Sequence, residues 1–99
     1  MSEKYEIRGP DGEVIGVHFQ NISQNMLMIG GKSKYLPFIQ HICFKTMGFR
    51  KNEVYDEYTR QAHKYRYYFK ISEKRFRNKW YRVIEKYKPK RIKSIVKIT

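Results

Sequence analysis

One cysteine, one alanine and two leucines stand among 99 residues, and each scarcity closes off a class of protein. A lone thiol, Cys43, leaves no partner for an internal disulfide and no set of thiolates for a metal. An oxidising compartment is therefore not implied. Long apolar runs are missing too. The longest, Met26–Ile29, falls far short of the roughly 20 residues that cross a bilayer. The opening residues, Met1 to Glu6, show no basic segment followed by an apolar stretch, so no signal peptide is expected. These absences predict a cytoplasmic protein, neither secreted nor membrane-bound.

Acidic residues are the scarcity with the largest consequence. Nine Asp and Glu face 22 Lys and Arg, a formal net charge of +13. Residues 1–49 hold five cations and four anions, a net of +1, whereas residues 50–99 hold seventeen against five, a net of +12. Ten of the sixteen aromatic residues share that second half, interleaved with cations as in Lys64-Tyr65-Arg66-Tyr67-Tyr68-Phe69-Lys70. Such a field raises self-repulsion unless a polyanion lies against it. Heat-stable proteins also accumulate Lys, but in networks balanced by Glu, and this half is not balanced. Nucleic acid, DNA or RNA, is the expected partner, and an acidic protein is the alternative.

With leucine and alanine nearly absent, Ile, Val and the aromatics supply the apolar content, a mixture that favours pleated sheet. The length fits one domain, residues 1–99, with a single modest core. Lys4–Arg8 and Glu13–Phe19 flank Gly9-Pro10-Asp11-Gly12, which predicts a β-hairpin. Pro37 and Gly48 bracket Phe38, Ile39, Ile42, Cys43 and Met47 at helical spacing, predicting a helix over about 37–47. Residues 53–62 read as a short helix opened by Asn52 and acids, and 64–71 as a strand. In that strand Tyr65, Tyr67, Phe69 and Ile71 point inward, while Lys64, Arg66, Tyr68 and Lys70 point outward. Ser72 caps a helix over 73–87 whose apolar stripe is Phe76, Trp80, Val83, Ile84 and Tyr87, with Pro89 beyond its end. Alternation over Ile92–Ile98 predicts a C-terminal strand. The expectation is an α+β fold: an N-terminal hairpin and two main helices packed on a small, mostly antiparallel sheet.

On the 73–87 helix, Arg75, Lys79, Arg82 and Lys86 recur at i, i+4, i+7 and i+11, which places them on one edge roughly 16 Å long. Lys88, Lys90 and Arg91 continue the charge beyond it. These residues are the expected phosphate contacts, largely indifferent to base sequence, together with Lys64 and Arg66. Tyr68, on the outward face of its strand, is a candidate to stack on bases.

Motifs for catalysis fail on spacing. Gly30-Gly31-Lys32-Ser33 imitates the end of a phosphate-binding loop, but the required upstream glycine is Met26, and Pro37 interrupts the helix that would follow. His18, His41 and His63 are too scattered for a metal site, and Cys43 lies on an apolar helix face. Asp56 and Glu57 could hold Mg²⁺ as nucleases do, yet no second carboxylate motif joins them. A metal-dependent nuclease is the least implausible enzyme. The reading is a non-enzymatic protein without cofactor or metal.

The length, the lone Cys43 and the Lys/Ile/Tyr-rich runs Lys64–Ile71 and Arg91–Ile98 resemble small basic proteins of filamentous and rod-shaped viruses of hyperthermophilic archaea, the lipothrixviruses and rudiviruses. The resemblance implies a viral protein of the host cytoplasm with high thermal stability and an atypical fold. It defines no functional residues to carry over.

Overall fold

A computed structural model describes residues 2–21, 24–87 and 94–98. Six strands form one sheet in which every neighbouring pair is antiparallel. Strand β1 (Ser2–Arg8) turns back into β2 (Val14–Gln20) across the expected Gly9–Gly12 cluster. There the Gly12 N–H donates to the Gly9 carbonyl at 3.1 Å, and Gly12 takes a φ of +80° that side chains rarely adopt. Strand β3 (Met26–Lys32) follows, then β4 (Val54–Thr59), β5 (Lys64–Lys70) and β6 (Ser94–Lys97), in the spatial order β4-β5-β3-β2-β1-β6. The C-terminal strand thus closes the sheet beside β1, with Glu6 opposite Val96.

Register follows from alternation. Ile15, Val17 and Phe19 of β2 and Leu27 and Ile29 of β3 are buried on one face, so a one-residue slip would turn all five into water. Tyr67 and Phe69 join them from β5, and Tyr65 is half-buried beside them, the inward set expected from the sequence.

Both helices cover that face. Helix α1 (Leu36–Gln40), with Pro37 in its first turn, continues as a π-helical turn over His41–Thr46, so the expected 37–47 helix is wound more loosely in its second half. It ends at Gly48, φ +75°, where the Phe49 N–H donates to the Cys43 carbonyl at 3.0 Å. Helix α2 (Glu73–Tyr87) begins where the Ser72 Oγ accepts the Arg75 N–H at 3.2 Å. Its Phe76 stacks on Phe19 at 4.6 Å, Trp80 lies 4.7 Å from Tyr5, and the Tyr87 hydroxyl bonds Thr46 Oγ1 at 2.8 Å. Burying each such ring contributes about 1.5–3 kcal/mol, and together they tie α2 to both the sheet and α1.

The helix expected over residues 53–62 does not form. A short 3₁₀ turn, Lys51–Glu53, leads into β4, and the chain reverses through Arg60–His63 into β5. Val54 and Tyr58, four apart, suit a helix stripe, but an even spacing also puts both on one side of a strand. Pairing decides between them: Val54 sits opposite Phe69, and Tyr58 stacks on Tyr65 at 4.5 Å. Glu53, expected in the first turn of that helix, lies in the 3₁₀ turn and caps it, its carboxylate accepting the Arg50 N–H at 2.9 Å.

Candidate nucleic-acid interface

The cationic edge of α2 does not stand free in solvent. It runs beside the connection from α1 to β4. Lys79 is only 8% exposed: its ammonium donates to the Met47 carbonyl at 2.8 Å and lies 4.5 Å over the Phe49 ring. Burial first, then the charges of Arg75 and Arg82, pull its pKa below the ordinary lysine value. Arg75 pairs with Glu53 at 2.6 Å while its guanidinium stands 5.5 Å over the same Phe49 ring. Arg82 Nη1 lies 3.4 Å from the Met47 carbonyl, and Lys86 Nζ lies 3.0 Å from His41 Nε2. The expected ridge is therefore interrupted. Lys79 is a structural ammonium, Arg75 has a carboxylate partner, and Arg82 and Lys86 are the members of this edge left exposed without one among the described residues. Lys88, Lys90 and Arg91 lie outside the described residues.

The far side of the sheet gathers the other candidates. Among the described residues, α1 and α2 pack on the inward face, while the outward face is partly covered: His18 Nε2 is buried there and Tyr35 helps to line its cavity. Lys64, Arg66 and Tyr68 all project there from β5, as alternation required. Lys70 joins them. Two neighbours become visible only with strand pairing. Lys32, on β3, sits directly opposite Lys64, and Tyr55, on β4, sits opposite Tyr68. Tyr55 is 70% exposed, and its ring centroid lies 6.2 Å from that of Tyr68. Glu57 is the local acid. It lies 3.5 Å from the Tyr68 hydroxyl, which donates to it, and 3.9 Å from Arg66 Nη1. Across β1, Arg8 pairs with Glu6 at 2.8 Å on the same face.

The middle of this face lacks side chains at two positions, although Gly30 itself is buried with the Arg66 stem close beside it. Gly16 and Gly30 are register partners, so two adjacent strands present backbone where side chains would stand. With Val14, Met28, Lys32 and Arg66 they line a shallow cavity of about 330 Å³. In the sequence Gly16 stands only in an alternating run and Gly30 only in the failed phosphate-loop imitation; their meeting depends on register.

Elsewhere the chemistry is quiet. Asp56 and Glu57 are consecutive on β4, opposite Tyr67 and Arg66 respectively, so their carboxylates leave opposite sides of the sheet and do not converge on one cation. Among the described residues, no three His, Cys, Asp or Glu side chains gather as a metal would require. Cys43 is buried, and burial pushes its thiol pKa far up, away from nucleophilic use. On the inward side, Arg77 of α2 reaches Glu3 of β1, and the Tyr5 hydroxyl donates to the same carboxylate at 2.9 Å. This cluster locks helix to sheet. No helix is long and apolar enough to cross a membrane among the described residues. No protein-family model matches this chain, and no curated protein or solved structure does either.

Proposed function

We propose that this protein is a non-enzymatic nucleic-acid-binding domain that holds the phosphate backbone with little regard to base sequence. The observation that carries the reading is the net charge of +12 over residues 50–99, seventeen cations against five acids. Exposed cations without a carboxylate partner among the described residues stand on both sides of the fold, Arg82 and Lys86 on α2 and Lys64 and Lys70 on β5. In the absence of a polyanion they repel one another; against phosphates they release counterions and bind. The basic segment Lys88, Lys90 and Arg91 belongs to the same proposal as an extension of the α2 edge. A cytoplasmic setting is part of it, in keeping with one buried thiol and no disulfide.

Salt titration tests the reading. Four or five phosphate contacts on a duplex give a slope of log K against log salt near −4, at about −0.9 per phosphate. Binding that ignores salt, or no binding to DNA or RNA at low ionic strength, overturns it. An acidic protein partner would instead copurify in fixed ratio after nuclease treatment, and that result transfers the same cations to a protein-interaction role.

A further inference from the structure

Lys32 and Lys64 face each other across β3 and β5 on the outward side of the sheet. Both are exposed, and neither has an ion pair among the described residues. Like charges directly opposite on a sheet destabilise it, and an anion seated between them removes the repulsion. Arg66 adds a third cation one step along the same face of β5, about 7 Å from Lys64 at 3.3 Å per residue. These three stand at the rim of the 330 Å³ cavity over Gly16 and Gly30.

The two glycines differ in what the fold asks of them. A Cβ on Gly30 would come within 2.7 Å of the Tyr65 carbonyl oxygen and 3.0 Å of Arg66 Cγ, so close backbone approach explains that glycine. Among the described residues, a Cβ on Gly16 would meet only the Gly30 carbonyl oxygen, at 3.9 Å, an ordinary contact, and Gly16 has no left-handed φ. Packing and backbone geometry among the described residues give no reason for glycine there, although glycine weakens a strand interior. What its missing side chain does is keep the cavity open. Glycine in a strand is also where a ligand approaches the backbone closely. Two residues beyond Arg66, Tyr68 and the exposed Tyr55 offer ring faces, about 13 Å along β5 from Lys64.

We infer that this outward sheet face is a platform for single-stranded nucleic acid. A phosphate lies between Lys32 and Lys64, the adjoining base lies over Gly16 beside Arg66, and the next base stacks on Tyr68 with the tilted Tyr55 ring at its edge. The inference rests on the nucleic-acid reading and moves its main contact from the helix edge to the sheet. A single strand is the occupant because its bases have free faces for the tyrosines, whereas those of a duplex are already stacked. Charge complementarity selects it too, since Lys32, Lys64, Arg66 and Lys70 outnumber the two acids near the tyrosines, Glu57 and Glu53, and Glu53 is already paired with Arg75.

The test is fluorescence anisotropy with labelled dT12, rU12 and a 12-base-pair duplex, using the full chain and three variants. Gly16→Val fills the cavity in a strand that favours valine, so it folds with a Tm unchanged or raised. It binds dT12 about 10-fold more weakly or worse, because one base loses its seat, a loss at the lower end of what one base contact contributes. Lys64→Glu, at an exposed position, weakens dT12 binding at least as much and lowers the salt slope. Arg82→Glu with Lys86→Glu weakens dT12, rU12 and the duplex by a similar factor, so the ratio of single-strand to duplex affinity stays that of the parent chain. Should Gly16→Val and Lys64→Glu bind dT12 like the parent chain while the helix double variant loses it, the platform is wrong and the nucleic-acid reading survives on α2. Displacement of dT12 by equimolar poly-glutamate also overturns the platform, because it makes the face a mere charge sink. If the parent chain binds none of the three oligonucleotides at 50 mM salt, both readings fall together.

Discussion

Lys79 offers the sharpest separation of structural from functional charge. By helical spacing it belongs with the phosphate contacts, yet its ammonium is buried against the Met47 carbonyl and the Phe49 ring. Replacing it by methionine keeps most of the aliphatic volume and deletes the charge. The lost charge-assisted hydrogen bond is worth about 1.5–3 kcal/mol. The lost contact with the Phe49 face adds roughly 0.5–2 kcal/mol. Against these stands the relief of a desolvated cation, whose cost is evident in the lowered pKa. The net is a destabilisation of about 1–2 kcal/mol, which for a domain of this size lowers Tm by roughly 4–16 °C. Glutamate at the same position sets a carboxylate against a carbonyl oxygen in a buried site and costs on the order of 3–5 kcal/mol. Thermal melts of Lys79→Met and Lys79→Glu by circular dichroism read both effects. Oligonucleotide affinity below the melt should be unchanged for Lys79→Met. An unchanged Tm together with a lost phosphate contact in the salt slope would refute the argument, because Lys79 would then be an ordinary surface cation.

Two further outcomes follow from packing and charge. Gly30→Ala should destabilise by about 1–3 kcal/mol, since its Cβ is driven against the Tyr65 carbonyl and the strands must part; equal stability of Gly30→Ala and the parent chain in urea would show the close approach is absent. Glu3 is held below the usual carboxylate range chiefly by the Arg77 hydrogen bond, and Glu53 chiefly by the Arg50 backbone N–H and then by Arg75. A carboxylate depressed in the folded state binds fewer protons there than in the unfolded chain, so its stabilisation is present above the ordinary Glu value of about 4.3 and is lost as pH falls below it. Urea midpoints between pH 6 and pH 2.5 should therefore decline, and less steeply in Glu3→Gln; an identical decline in that variant would remove Glu3 from the account.

Local chemistry made much of this fold legible. The Gly9–Gly12 cluster announces its hairpin because Gly12 needs a positive φ, and Ser72 with the Phe76–Trp80–Val83–Tyr87 stripe announces α2, whose observed ends match those expected. Alternation placed Lys64, Arg66 and Tyr68 on one face and Tyr67 and Phe69 on the other. What escaped depends on tertiary contact. Residues 54–59 satisfy two periodicities at once, and only pairing with β5 chooses the strand. A helical wheel sets Lys79 beside Arg75 and Arg82 but carries no knowledge that the chain from Met47 to Glu53 lies against that edge. Lys32 looked like part of a failed phosphate loop, and its meeting with Lys64 waits on the register of β3 with β5. The pairing of Gly16 with Gly30 is hidden for the same reason.

The most direct measurement is a ¹H–¹⁵N titration of the full chain with dT12 at low salt, followed amide by amide. Shifts concentrated at Gly16, Gly30, Lys32 and Lys64–Tyr68, moving back as salt is added, are the predicted result. Shifts confined to Arg82, Lys86 and their neighbours on α2, or a spectrum that dT12 leaves untouched, would contradict it.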